Sequence, residues 1–145
     1  MGCRAVKPGC VFCYIAQRTR PASLVWEDDL TVAFIDQRQF HPGHTLVIPR
    51  QHLGDVRDLD PATGAALMRS VARITRAVAA AFPNQGLSVW HSIGEAAFQE
   101  VPHLHIHIHP RLLGDGLLNV YPSAPAMPDE ATRERYAATL RACLG

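Results

Sequence analysis

The sequence predicts an α+β fold built on an antiparallel sheet, and three observations carry that prediction. Four short β-like runs, at residues 31–35, 45–48, 87–90 and 102–109, do not alternate regularly with helices, which excludes a βαβ ladder. Pro42-Gly43 supplies turn chemistry between the first two runs and makes them an antiparallel hairpin. One long amphipathic stretch, opening at Asp60-Pro61, offers the apolar helix face that such a sheet needs to close a core. The chain has 145 residues, within the ~100–200 usual for one domain. No repeat, low-complexity tract or linker divides it. It therefore reads as one domain over 1–145, with a motif-bearing core at 10–111 and a helical extension at 129–143. Hydrophobic residues make up 48% and charged residues 19%, enough apolar surface for a packed core and too little charge for wholesale disorder.

At the N-terminus, Met1 to Pro8 lacks the apolar run of a secretory leader, and Val6 stands where a myristoylation signal wants Ser or Thr. No apolar stretch reaches the ~18 residues of a membrane span. Fourteen basic against thirteen acidic residues leave a net charge of +1, which argues against a dedicated nucleic-acid or membrane-surface binder. The expected address is the cytoplasm. Cysteines at 3, 10, 13 and 143 make no disulfide framework in a chain without an export signal, and the Cys10-x-x-Cys13 pair suits a metal or redox site better. A short helix is expected after that pair.

The long helix has Asp60 as N-cap and Pro61 at its first position. It carries Leu67, Val71, Ile74, Val78 and Phe82 at spacings of three and four, and stops at Pro83 and the Asn84-Gln85-Gly86 turn. A second helix is expected from near Asp129 to Cys143, with Tyr136, Leu140 and Cys143 on one side.

Eight histidines are the compositional oddity, and four of them alternate in His103-Leu104-His105-Ile106-His107-Ile108-His109. On a strand the side chains reverse face at each residue, so the imidazoles share one face while Leu104, Ile106 and Ile108 enter the core. Same-face neighbours lie ~6.5–7 Å apart along a strand, suited to gripping different atoms of one ligand. Four stacked imidazolium charges would repel, so some rings stay neutral near pH 7. Three uses follow: polar residues on a solvated sheet face, ligands of a catalytic metal, or a covalent nucleophile toward phosphorus with neighbours supplying charge and protons.

The flanking residues narrow these. Gln99-Glu100-Val101-Pro102 followed by the alternating histidines and Pro110-Arg111 resembles the signature of the histidine-triad (HIT) family of nucleotide hydrolases and transferases. Cys10-Val11-Phe12-Cys13-Tyr14-Ile15 resembles the family's N-terminal segment, and Glu27-Asp28-Asp29 leading to Ala33-Phe34-Ile35-Asp36 its nucleoside-binding strand. The stretch from Pro42-Gly43-His44 to Gln51-His52 is similar to its hairpin return. Order and spacing are kept over residues 10–111.

The resemblance implies a sheet of about five antiparallel strands with one long and one C-terminal helix, in a two-fold homodimer with residues 67–78 near the interface. It implies that His105 attacks the α-phosphorus of a purine nucleotide derivative and forms a nucleotidyl-histidine that water resolves. Neutral imidazole suits this role, because it is both a good nucleophile and a good leaving group. His107 and Gln99 would stabilise phosphate charge or assist the leaving group, with His44 beside the triad. Asp36 would accept from the ribose hydroxyls. Val11, Phe12, Phe34 and Leu46 correspond to walls around the base, although ordinary core packing would place the same residues. Ser92 and Val101 complete the substrate-contacting set.

Some branches, including the related galactose-1-phosphate uridylyltransferases, hold a structural zinc ion with two cysteines and two histidines. The matching residues here are Cys10, Cys13, His52 and His103. The departures are Ser92 where an amide often touches phosphate, Phe98 for a common glycine, Glu100 where a small hydroxyl often stands, and the extra histidine His109. His91 is expected near the same region. The leaving group stays open among an amine, a nucleotide, sulfate and another phosphoryl group. A catalytically weak nucleotide-binding module and a hydrolytic metalloenzyme using the histidine strand stand as alternatives.

Overall fold

A computed structural model describes residues 6–145; Cys3 and the reading of the extreme N-terminus lie outside the described residues. The chain divides into two compact units, one ending at Asp115 and the other spanning Gly116–Gly145. The first holds α1 (Val11–Ala16), β1 (Leu24–Glu27), β2 (Thr31–Ile35), β3 (Thr45–Pro49), α2 (Pro61–Ala81), β4 (Gly86–Trp90) and β5 (Ile106–Arg111). The five strands form one sheet in the order β1-β2-β3-β5-β4, antiparallel at every pairing. The α2 crossover carries the chain from β3 out to β4, and β5 returns between them. The histidine-bearing strand is thereby flanked on both sides.

Strand alternation divides two cores. Ala33, Val47, Leu104, Ile106 and Ile108 meet the stripe Leu67, Val71, Ile74 and Val78 of α2. Val32, Phe34, Leu46 and Ile48 pack instead with Phe12, Ile15 and Ala16 of α1. Burying each such Val, Leu, Ile or Phe contributes ~1.5–3 kcal/mol. Asp60 caps α2 by accepting from the Thr63 amide (2.9 Å) and hydroxyl (2.7 Å), a cap worth ~1 kcal/mol. Phe82 ends the helix in an extended conformation. Gly43, at φ 109°, needs its missing side chain: a Cβ there would lie 2.6 Å from the Phe82 ring.

The architecture agrees with the sequence reading, with three local differences. The edge strand β1 carries no alternating pattern and leaves Leu24 and Val25 exposed, so periodicity does not reveal it. Its signal is Asp28, whose carboxylate accepts from the Leu30 and Thr31 amides (2.8 and 2.7 Å) and turns the chain into β2. Secondly, α1 runs through the cysteine pair rather than after it, with Cys10 as N-cap. Thirdly, β5 begins at Ile106 and not at 102. Pro102 has no N–H for a ladder, and the bend is held by His103 N donating to Val101 O (2.8 Å) and Leu104 N to Leu53 O (2.7 Å). As expected of the stripe, Leu67 and Val78 are buried against the molecule's own sheet. The stripe at 67, 71, 74 and 78 is therefore not available to a partner; only the opposite side of α2, which includes the exposed Met68, is.

The second unit contains α3 (Glu130–Cys143), capped by Asp129 accepting from the Thr132 amide (2.8 Å). None of its residues is buried, and Tyr136, Leu140 and Cys143 are all exposed. Among the described residues no helix is long and apolar enough to cross a membrane.

Candidate active site

Four side chains from three segments converge under the start of β5. Cys10 and Cys13 are brought together by the first turn of α1, where the Cys13 amide donates to Cys10 Sγ (3.4 Å). His52 follows the end of β3, and His103 lies fully buried in the bend before β5. His103 Nδ1 is 3.4 Å from Cys10 Sγ and 3.6 Å from Cys13 Sγ, while His52 Nδ1 is 3.3 Å from Cys13 Sγ. All four ligand atoms fall within 4.8 Å of one another. Tetrahedral zinc with ordinary Zn–S and Zn–N bonds places S and N ligands about 3.6 Å apart, so the donor set and its spacing fit that ion. His103 Nε2 donates to Pro49 O (2.9 Å), which directs the Nδ1 lone pair toward the sulfurs. Burial pushes the His103 pKa down to about 4 and the Cys13 thiol up. Both imidazole and thiol are therefore held neutral, and a divalent cation is what would favour the thiolate.

His105 occupies the next inward position. Its Nδ1 donates to the His103 carbonyl at 2.6 Å, which fixes the tautomer and leaves the lone pair on Nε2. Burial lowers its pKa, with Asp36 and Glu100 acting in the opposite sense. The ring stands edge-on to Phe12, with centroids 5.1 Å apart.

His107 and His44 form a hydrogen-bonded pair, His44 Nε2 to His107 Nδ1 at 2.9 Å. His44 Nδ1 lies 3.2 Å from Arg38 O and 3.7 Å from an Asp36 oxygen. The network assigns His44 Nδ1–H to the Arg38 carbonyl, so His44 Nε2 accepts from His107 Nδ1–H and one added proton binds at His107 Nε2. Trp90 covers His107 face to face, with centroids 4.4 Å apart and planes 2° from parallel. Burial, then the neighbouring histidines, push His107 down to about 3, and burial lowers His44. Asp36, His44 and His107 also bring ligand atoms within 4.8 Å, but the two rings bond each other, which suits a shared proton better than a cation.

The loop joining β2 to β3 is held by Gln39. Its amide donates to Asp36 O (2.6 Å) and His44 O (2.8 Å), and its oxygen accepts from the Gly43 and His44 amides. Asp36 is buried at the end of β2, its carboxylate accepting from the Arg38 amide (2.8 Å). Phe12, Phe34 and Leu46 are buried in the α1-side core, with Val11 and Val101 packed at its margin. Val11, Val101 and Glu100 also line an open cavity of about 270 Å³. Ser92 lies half-buried two residues beyond β4.

Gln99, expected against phosphate, bonds backbone through both ends of its amide. Its oxygen accepts from the Gly94 amide (2.9 Å), and its nitrogen donates to Gly54 O (3.1 Å) and Val101 O (3.3 Å). Gln99 thus ties the loop before the triad to the segment after His52. His91 does approach the triad, with Nδ1 3.3 Å from His105 O. His109 is buried beside His44, its Nδ1 on Pro110 O (2.7 Å) and its Nε2 without a partner among the described residues. Trp90, Gln39 and Arg38 are contributors the sequence reading passed over. None carries a motif, because Trp90 acts across the sheet, the Gln39 side chain bonds loop backbone, and Arg38 pairs with a residue 62 positions away.

A model of the HIT domain matches residues 17–112. Protein hit of Bacillus subtilis is 39% identical over 108 residues, 74% of each chain. The adenosine 5'-monophosphoramidase hnt1 of Schizosaccharomyces pombe is 32% identical over 122 residues, 83% of this chain and 89% of its own. The adenylylsulfatase HINT3 of Arabidopsis thaliana is 33% identical over 102 residues, 70% of this chain and 52% of its own. Among solved structures, SMU.412c from Streptococcus mutans superposes with TM-score 0.87 at 30% identity, over 96% of this chain and 87% of that one. A zinc-bound histidine triad family protein from Mycobacterium smegmatis superposes with TM-score 0.68 at 38% identity, over 88% of both chains. With its alternating histidines on the inner strand of a five-stranded antiparallel sheet, the chain belongs to the histidine-triad (HIT) family.

Proposed function

We propose that the protein is a nucleotide hydrolase or transferase that works through a nucleotidyl-His105 intermediate. The observation that carries this reading is the 2.6 Å bond from His105 Nδ1 to the His103 carbonyl, which leaves a neutral ring with its nucleophilic lone pair on Nε2. His105 Nε2 forms a bond to the α-phosphorus as the bond to the leaving group breaks. The cation that develops on the ring is shared with the His103 carbonyl. The His44–His107 pair takes up one proton together with the anionic substrate, and the leaving group departs with the electron pair and that proton. Water then attacks phosphorus, returns its proton to that pair, and releases His105 neutral.

Asp36 receives the ribose hydroxyls, and Val11, Phe12, Phe34, Leu46 and Val101 wall the base, with Ser92 at the phosphate. His107 and Gln99 stabilise phosphate charge or assist the leaving group, and Gln99 also holds its loop. Cys10, Cys13, His52 and His103 hold a structural zinc ion, supported by the donor spacing and by the zinc-bound relative. That ion would pin α1 beside the triad and takes no step in the chemistry. Two copies form a homodimer through the exposed side of α2 and the edge strand β4.

The test is intact-mass analysis after mixing with nucleoside phosphoramidates, dinucleoside polyphosphates or adenylyl sulfate and quenching in base. The expected result is a nucleotidyl adduct that maps to His105 and is absent from His105→Asn. Turnover without any adduct, or turnover lost to chelation and regained on adding metal, would overturn the covalent route.

A further inference from the structure

Arg38 and Glu100, 62 residues apart in sequence, meet in a two-pronged pair: Arg38 Nη1 to Glu100 Oε1 at 3.0 Å and Nη2 to Oε2 at 2.9 Å. The pair bridges the β2–β3 loop to the loop that leads into the triad. Both side chains are largely exposed, 67% and 63%. The backbone of Arg38 is fixed: its amide donates to Asp36 (2.8 Å) and its carbonyl accepts from His44, which bonds His107. Glu100 lines the cavity beside Val11 and Val101. Arg38 Nε also lies 3.9 Å from Asp36 Oδ1, the carboxylate proposed to receive the ribose, which puts the guanidinium beside the site.

A carboxylate beside a phosphate site repels the substrate unless a cation masks it. Here the mask is a guanidinium, whose planar fork fits phosphate as well as it fits carboxylate. An exposed ion pair contributes little to stability, so exchanging its anion costs little. Resting on the nucleotide reading above, we infer that Arg38 is a specificity residue that exchanges Glu100 for an anionic group beyond the α-phosphate of the substrate. The favoured substrates are nucleotides whose leaving group is a phosphoryl or sulfuryl anion, over those that release a neutral amine. Glu100 acts as the resident competitor: it keeps Arg38 extended over the site and turns away weaker anions.

The test compares AMP with α,β-methylene-ADP, which cannot be cleaved between its phosphates, by calorimetry on the wild-type protein and on Arg38→Gln, Arg38→Lys and Glu100→Gln. The methylene analogue should bind the wild type about tenfold or more tighter than AMP, in line with a charged two-pronged contact. Arg38→Gln should bring the two affinities to within about twofold of each other, largely by weakening the analogue, and Arg38→Lys should restore part of the difference. Glu100→Gln should tighten the analogue about threefold or more. The kcat/KM for adenylyl sulfate and for a dinucleoside polyphosphate in Arg38→Gln identifies the source: a fall confined to one assigns the site to sulfuryl or to phosphoryl groups. An unchanged preference in Arg38→Gln, or equal weakening of both ligands, would overturn the inference while leaving the hydrolase reading intact. Failure of the wild type to bind either nucleotide would overturn both.

Discussion

His105 and His107 are two residues apart, yet burial serves each differently. For His105, the proposed nucleophile, it lowers the pKa and so favours the unprotonated ring. For His107 it makes a proton costly, so one taken up by the His44–His107 pair is readily given away. His105→Asn should cost at least about a thousandfold in kcat with nucleotide monophosphate binding largely kept, and His107→Ala on the order of a hundredfold. Steady-state kinetics with a binding titration checks this; about a tenth of wild-type turnover in His105→Asn would count decisively against the nucleophile. The same burial gives stability a pH dependence of known sign. A histidine with its folded pKa pushed down to about 3, as in His107, binds a proton more readily when unfolded. Its contribution is whole above the unfolded value near 6.5 and is lost as pH falls toward the folded value. For His107 the loss between pH 6.5 and 5 is roughly 1–2 kcal/mol. Urea midpoints that stay level from pH 7 to 5 would contradict this.

At the scale of elements, α1 is short and depends on what fixes it. Its C-terminal end is tied by Arg50, which reaches the Ala16 carbonyl (2.9 Å), the Asp28 carbonyl (2.7 Å) and Glu27 (2.6 Å). Its N-terminal end is tied by the Cys10–Cys13–His52–His103 cluster. Zinc there should contribute stability rather than chemistry. Cys10→Ser with Cys13→Ser should lower the melting temperature by several degrees, with a smaller effect on single-turnover rate; calorimetry and quench-flow make the comparison. Protein purified without added metal or chelator should carry about one zinc per chain by elemental analysis. Well under half an equivalent, with freely titratable thiols, would exclude the site. The hairpin loop is a second element whose chemistry lies outside its motif. Pro42-Gly43-His44 is readable as a turn, but the four hydrogen bonds of Gln39 that aim His44 at His107 are not.

At the scale of the molecule, the strand order leaves β1 and β4 at the sheet edges. β4 follows α2 and leaves Val89 exposed, and an unpaired edge invites a second chain. The proposed two-fold dimer would join two β4 edges with the exposed sides of two α2 helices, burying Met68 and Val89. Sedimentation should show a dimer at micromolar concentration, and Val89→Lys should shift it toward monomer. A wild-type monomer at that concentration would rule this assembly out.

The sequence by itself determined the fold class, the long helix with its cap and stop, the hairpin, and the family. These are local or periodic signals: one apolar stripe, one proline turn, one strict alternation. The alternation also determined which side of β5 faces the core, because a strand allows only two sides. The edge strand β1 was not legible, since its placement comes from pairing with β2 and from the Asp28 turn. The tertiary structure alone decided that β5 starts after the bend at Pro102, that Gln99 holds backbone, and that Trp90 stacks on His107. It alone set Arg38 against Glu100. Each of these joins segments distant in the chain, and their contact is fixed by the packing of two cores on one sheet, which no single stretch of residues encodes.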